Sequence, residues 1–218
     1  MADSAFPVGG FVYSYGLESA VKHGFISNQK DLREYLTTFS EQLISFDFPF
    51  IASGYALDKL NVNSYQIREL LTTYEAMLLN PPIRKASCVM GKNWLKICKQ
   101  LNQTTSIEDL DTLYMKEQFS YEFPIVYGYS MNHLNFTLHK TLQLFFYMAI
   151  RDQISALIRL GVAGPSRAHS ELKLLMEIFR EKIDNYEPQH FDEAYKSAYL
   201  LEIAQLKHDQ VYSKLFQN

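Results

Sequence analysis

Leu32-Arg33-Glu34-Tyr35-Leu36-Thr37-Thr38-Phe39-Ser40-Glu41-Gln42-Leu43 decides the fold class. Its apolar residues, Leu32, Tyr35, Leu36, Phe39 and Leu43, recur at the spacing of one α-helical face. The same spacing returns in Ile67, Leu70, Leu71, Tyr74 and Leu78, and again in Leu172, Leu175, Met176, Phe179 and Ile183. No segment alternates apolar and polar residues with β-branched enrichment, so strands are not expected. Punctuation agrees with helices. Gly24 can close a first one, and Asn28 can cap the next by accepting a backbone N–H. Asn63 with Gln66, and Ser106 with Asp109, resemble capping boxes. Gly161 ends a long helix, and Pro165 suits the first position of the following one. These signals predict helices near 12–23, 29–45, 49–60, 64–79, 83–101, 107–118, 124–134, 137–160, 166–184 and 191–206. The expected fold is all-α, a single compact helical-bundle domain of about ten helices spanning residues 1–218.

The stretch 137–160 is apolar on every side where Phe145, Phe146, Tyr147 and Met148 follow one another. Such a helix is buried on every side. It is either the centre of its own domain or, through Phe146 and Tyr147, a contact between two copies of the chain.

Composition bounds the function. Of 218 residues, 47% are hydrophobic and 21% charged, a globular balance, and net charge is −3. That charge gives no support to a nucleic-acid or anionic-membrane partner. The aromatic share, 14%, exceeds what one core obviously needs and leans towards association. Two cysteines, Cys88 and Cys98, are too few for a disulfide framework and read as a reducing compartment, so a cytoplasmic location is expected. The longest apolar run, Leu144 to Ile150, is far too short to span a membrane.

Catalytic signatures are missing. Met90-Gly91-Lys92-Asn93 lacks the first glycine and final Ser or Thr of a phosphate-binding loop. The six histidines are scattered, with no pair three or four apart, so no metal ligand set is assigned. No Gly-x-Ser-x-Gly elbow occurs. No catalytic residue is assigned either, and the chain reads as a non-enzyme.

Binding features remain. Lys85, Lys92, Lys96 and Lys99 lie within about 60° on a helical wheel, with no acid between Ala76 and Ile107. This is either a solvated face or a dock for an acidic partner. On another side, Ser87 and Gly91 are small residues one turn apart that admit a close neighbour. The first residues, Asp3-Ser4-Ala5-Phe6-Pro7-Val8-Gly9-Gly10-Phe11, make a poor solvated tail, and so do Tyr212, Leu215 and Phe216 at the other end. Segments 1–11 and 208–218 are expected to be ordered by a partner.

Asp3 to Glu18, reading Asp-Ser-Ala-Phe-Pro-Val-Gly-Gly-Phe-x-Tyr-Ser-x-Gly-Leu-Glu, resembles the N-terminal signature of the urease accessory UreF family. Arg84-x-Ala86-Ser87-x-x-x-Gly91, Arg159-Leu160-Gly161, His208-Asp209 and Ser213-Lys214-Leu215-Phe216 follow in the family's order. Tyr13 stands where the family usually has His, Asp209 where Glu is usual and Lys214 where Arg is usual. The family also usually carries several residues ahead of the aspartate, whereas this chain begins almost at the motif. The resemblance implies an all-α homodimer that binds the accessory protein UreD/UreH and recruits the GTPase UreG. That assembly delivers nickel to apo-urease. Nickel and GTP are then handled by partner proteins, and no cofactor is bound directly. It further implies a partner-binding set made of Asp3, Phe6, Pro7, Gly9, Gly10, Phe11, Tyr13, Ser14, Gly16, Leu17 and Glu18, with His208, Asp209, Tyr212, Lys214, Leu215 and Phe216. Arg84, Ser87, Gly91, Lys92 and Lys96 are read as helix packing or partner surface. Two rival readings are a helical enzyme with a buried small-molecule pocket, of haem-oxygenase-like or thiaminase-like shape, and a dimeric helical DNA-binding regulator. The second would need a basic N-terminal helix-turn-helix, whereas residues 1–60 carry four Lys and Arg against seven acids.

Overall fold

A computed structural model describes residues 8–57, 64–101 and 105–217. Among the described residues the chain is all-α. Its helices are α1 (Leu17–Lys22), α2 (Gln29–Gln42), α3 (Phe48–Ala56), α4 (Ser64–Met77), α5 (Pro81–Leu101), α6 (Thr105–Glu117), α7 (Phe123–His133), α8 (Leu138–Arg159), α9 (Pro165–Asp184) and α10 (Tyr199–Leu206). The local signals act as read. Asn28 Oδ1 accepts the N–H groups of Lys30 and Asp31 at the head of α2, Gly24 and Gly161 take positive φ after α1 and α8, and Pro165 opens α9. The caps expected at Asn63 and Ser106 fall outside what is described.

Between α2 and α3 the helix does not stop. Leu43–Asp47 winds as a π segment, in which the Phe48 N–H donates to the Leu43 carbonyl five residues back. Pro49 has no N–H to offer the Ser45 carbonyl, and the Tyr195 N–H takes that carbonyl at 3.0 Å.

The centre of the fold is α7, not α8. Every residue from Phe123 to Met131 is buried, with α3, α5 and α8 packed around them. Gly54 of α3 lies against the Ile125 backbone and Gly128 of α7 against the Ile51 carbonyl, so the two helices cross at backbone contact distance. On α8 the consecutive aromatics divide among neighbours. The Phe145 ring lies 5.5 Å from that of Tyr127, and Phe146 packs at 5.4 Å on Phe179 of α9. Phe146 has no accessible surface and cannot face another subunit, while Tyr147 beside it is half-buried.

Two predicted helices are shorter than expected. The first begins at Leu17, after a 3-10 turn at Gly10–Val12. The last occupies Tyr199–Leu206 only. Residues 194–198 run extended because α2 holds their backbone: the Ala198 N–H donates to Gln42 Oε1 at 3.2 Å, next to the Tyr195–Ser45 bond. No helix among the described residues is long and apolar enough to cross a membrane.

Candidate partner-binding site

Both chain ends meet on α1. Tyr15 and Gly16 take positive φ in succession, 52° and 94°, and turn the chain sharply into α1. Only glycine fits the second position, since a Cβ there would sit 2.9 Å from Gln205 Cγ. Tyr15 is held in its strained turn by its carbonyl, which accepts from Tyr35 Oη at 3.1 Å and Gln205 Nε2 at 3.2 Å.

Two residues later Glu18 is wholly buried, and the C-terminal tail closes over it. Its carboxylate accepts the N–H of Leu215 at 2.7 Å and of Phe216 at 3.1 Å, and His208 Nε2 lies 3.0 Å away. The Gln217 N–H donates to the Val12 carbonyl at 3.0 Å, and the Arg159 guanidinium covers the Phe216 ring at 4.2 Å. A carboxylate receiving several donors inside the protein fixes their positions as well as its own. Ser14 and Leu17 are fully buried here and Tyr13 nearly so. Asp3, Phe6, Pro7 and the Phe11 side chain lie outside the described residues.

The predicted set therefore divides. Tyr13, Ser14, Gly16, Leu17, Glu18, His208 and Phe216 form one interior junction between the ends. Tyr212 is fully exposed and Leu215 55% exposed, and Lys214 reaches Asp209 across an outer pair at 3.3 Å. Sequence reasoning missed the surface beside them. On α10, Tyr199 and Leu200 are each 74% exposed, and Ile203 and Leu206 are exposed too. The signal was present in Tyr199-Leu200-Leu201, which is more apolar than one inward face needs, but it was absorbed into an overlong helix.

Gly9 and Gly10 belong to a second feature, an interior cavity of about 120 Å³. Its wall combines Phe39, Phe46, Phe123 and Phe145 with charged groups. Lys196 pairs with Glu202 at 2.5 Å and Arg151 with Asp152 at 2.7 Å. Asp47, on the π segment, accepts weakly from Tyr74 Oη at 3.4 Å. Burial pushes its carboxyl up to about 7, against the pull of nearby Lys196. Burial likewise raises the carboxyl of Asp152, which Arg151 opposes. Among the described residues, no three His, Cys, Asp or Glu side chains converge as a metal site would require.

The α5 residues have local tasks. Gly91 lets the Tyr121 carbonyl come against the helix, and Ser87 Oγ accepts the Phe123 N–H at 2.9 Å, which fixes the entry to α7. Arg84 pairs with Glu75 at 2.5 Å and lies 3.8 Å from the buried Glu122. Lys92 sits 5.3 Å over the Tyr121 ring, and Lys96 is exposed.

The UreF family model matches residues 26–176. Among curated proteins, the chain is 27% identical over 218 residues to urease accessory protein F of Oryza sativa subsp. indica, covering 99% of this chain and 82% of that one. It is 26% identical over 204 residues to urease accessory protein UreF of Sporosarcina pasteurii, covering 92% and 99%. A UreF-like protein of Schizosaccharomyces pombe is 22% identical over 231 residues. A family match over more than half the chain, together with relatives aligned nearly end to end, leads to one conclusion: the chain belongs to the UreF family.

Proposed function

We propose that this protein is a urease maturation scaffold without catalytic activity of its own, working in the cytoplasm as a homodimer. Its C-terminal face captures UreD/UreH, the pair recruits the GTPase UreG, and the assembly delivers nickel to apo-urease. The observation that supports this reading most is the apolar surface left open beside the junction of the chain ends. Tyr199, Leu200, Ile203, Leu206, Tyr212 and Leu215 are exposed within less than twenty residues of sequence. Large exposed apolar clusters mark association surfaces. In this reading the buried part of the junction shapes the surface, and the exposed part makes the contact.

Deleting the tail would also strip Glu18 of its donors, so substitutions test the idea more cleanly. Leu200→Glu with Ile203→Glu should keep the helical circular dichroism signal and abolish co-purification with the UreD/UreH encoded in the same genome. Undiminished co-purification would refute the assignment. The cavity favours a second reading, a small-molecule site. Saturable binding of a metabolite that Asp47→Asn removes would establish it.

A further inference from the structure

The charges on α5 are segregated. The helix carries Arg84, Lys85, Lys92, Lys96 and Lys99 and no acid. Removing those five from the chain's 21 Lys and Arg leaves 16 against 24 Asp and Glu. One helix of an acidic protein is thus wholly basic. Two of the five cations are neutralised, Arg84 by Glu75 and Lys99 by Asp111 at 2.6 Å. Lys85, Lys92 and Lys96 make no ion pair among the described residues, and all three are exposed.

Lys85, Val89, Lys92 and Lys96 form one outward stripe, and Val89 is exposed within it. Lys92 and Lys96, and Lys96 and Lys99, are like-charged neighbours one turn apart, an arrangement that weakens an isolated helix. Among the described residues no carboxylate offsets that repulsion at Lys92 or Lys96, and Lys92 has only the face of the Tyr121 ring, 5.3 Å away.

The same lysines edge an open groove between α5 and α6, with a volume of about 880 Å³. Leu95, Tyr114 and Phe119 give it an apolar floor, and Met115 stands 63% exposed at its side. Asp111 is the acid that lines it, and it is occupied by Lys99 and by Tyr121 Oη at 2.9 Å. The groove therefore offers two cations that have no acidic partner among the described residues, around an apolar strip.

We propose that the α5–α6 groove receives an acidic, amphipathic segment of a partner protein, its carboxylates against Lys92 and Lys96 and its apolar side against Met115. Charge complementarity selects the occupant. A neutral segment would leave both ammonium groups without counter-charge, and a basic one would be repelled. The proposal rests on the scaffold reading above, because it needs a protein partner, and it places that contact on a surface separate from the α10 face.

The test uses the full chain and purified UreD/UreH, UreG and apo-urease encoded in the same genome. Affinity for each is measured by calorimetry at about 50 and 200 mM salt, a range over which screening lengths change markedly. Lys92→Glu with Lys96→Glu should leave helicity intact and weaken binding of one of the three at least tenfold at low salt. It should also abolish that complex's salt dependence. Met115→Glu should weaken the same complex, and Lys92→Arg with Lys96→Arg should retain it. Equal affinities of wild type and charge-reversal variant for all three proteins would overturn the proposal. A fall in the variant's mass by light scattering, with partner binding unchanged, would assign the groove to a second copy and also overturn it. Wild-type protein that binds none of the three would instead defeat the scaffold reading, and the groove assignment with it.

Discussion

The junction of the chain ends and the central cavity both bury carboxylates, but they treat them in opposite ways. Glu18 sits under two backbone N–H donors and a histidine, each within 3.1 Å. Asp47 has one tyrosine hydroxyl at 3.4 Å, in a wall where aromatic rings alternate with charged groups such as Lys196. Two of the groups that hold Glu18 are backbone amides and cannot rotate away, so it defines where the tail lies. Asp47 is poorly provided for, and its carboxyl is raised to about 7. Burial drives that rise, and one weak hydroxyl donor does little to oppose it.

The largest effect should come from removing the well-served group. Glu18→Ala leaves the Leu215 and Phe216 N–H groups and His208 without their acceptor and should cost about 3–5 kcal/mol in urea denaturation. Limited proteolysis should then cut within 207–217. A loss below about 1 kcal/mol would mean that the carboxylate does not organise the tail.

Asp47 should behave in the reverse sense. Its ordinary value is 3.8, so the folded protein binds this proton more tightly than the unfolded chain does. Stability tied to it is complete below about pH 4 and is lost as pH rises through 7. The shift corresponds to at most about 4 kcal/mol, reduced by any water in the cavity. Asp47→Asn should therefore gain about 1–2 kcal/mol at pH 8, nothing at pH 4, and a flatter pH profile between them. A uniform change at both pH values would remove Asp47 from this account.

The smallest effect sharpens the contrast inside the tail. Tyr212→Ser should move stability by less than about 0.5 kcal/mol, because the ring touches solvent and not the junction. A larger shift in denaturation would place Tyr212 in the fold after all.

The helices were legible where their causes are local. Asn28, Gly161 and Pro165 act within a turn of themselves, so the sequence carries the whole signal. The segment 191–206 was not legible, because Gln42 and Ser45, about 150 residues away, hold its backbone extended. The rank of α7 over α8 was hidden for a related reason. Counting apolar residues favours α8, whereas Gly54 and Gly128 bring α3 against α7 and bury Tyr127, Tyr129 and Ser130 with it. At the site, the motif around Asp3–Glu18 could be seen but not the task of each residue. Glu18 looks like any helix-opening acid until the chain returns almost 200 residues later to place two amides on it. The cavity left no trace in the sequence, since the stretches lining it come from both ends of the chain and from between them.

The widened turn at Leu43–Asp47 acts as a one-residue insertion in an otherwise continuous rod. Deleting one residue there would restore ordinary winding and swing everything downstream by about 100°. Gly54 would lose its alignment with Ile125, and the aspartate would turn away from the aromatic chamber. A single amino acid of phase between two halves of one rod thus governs both how the layers mesh and where an acid enters the interior.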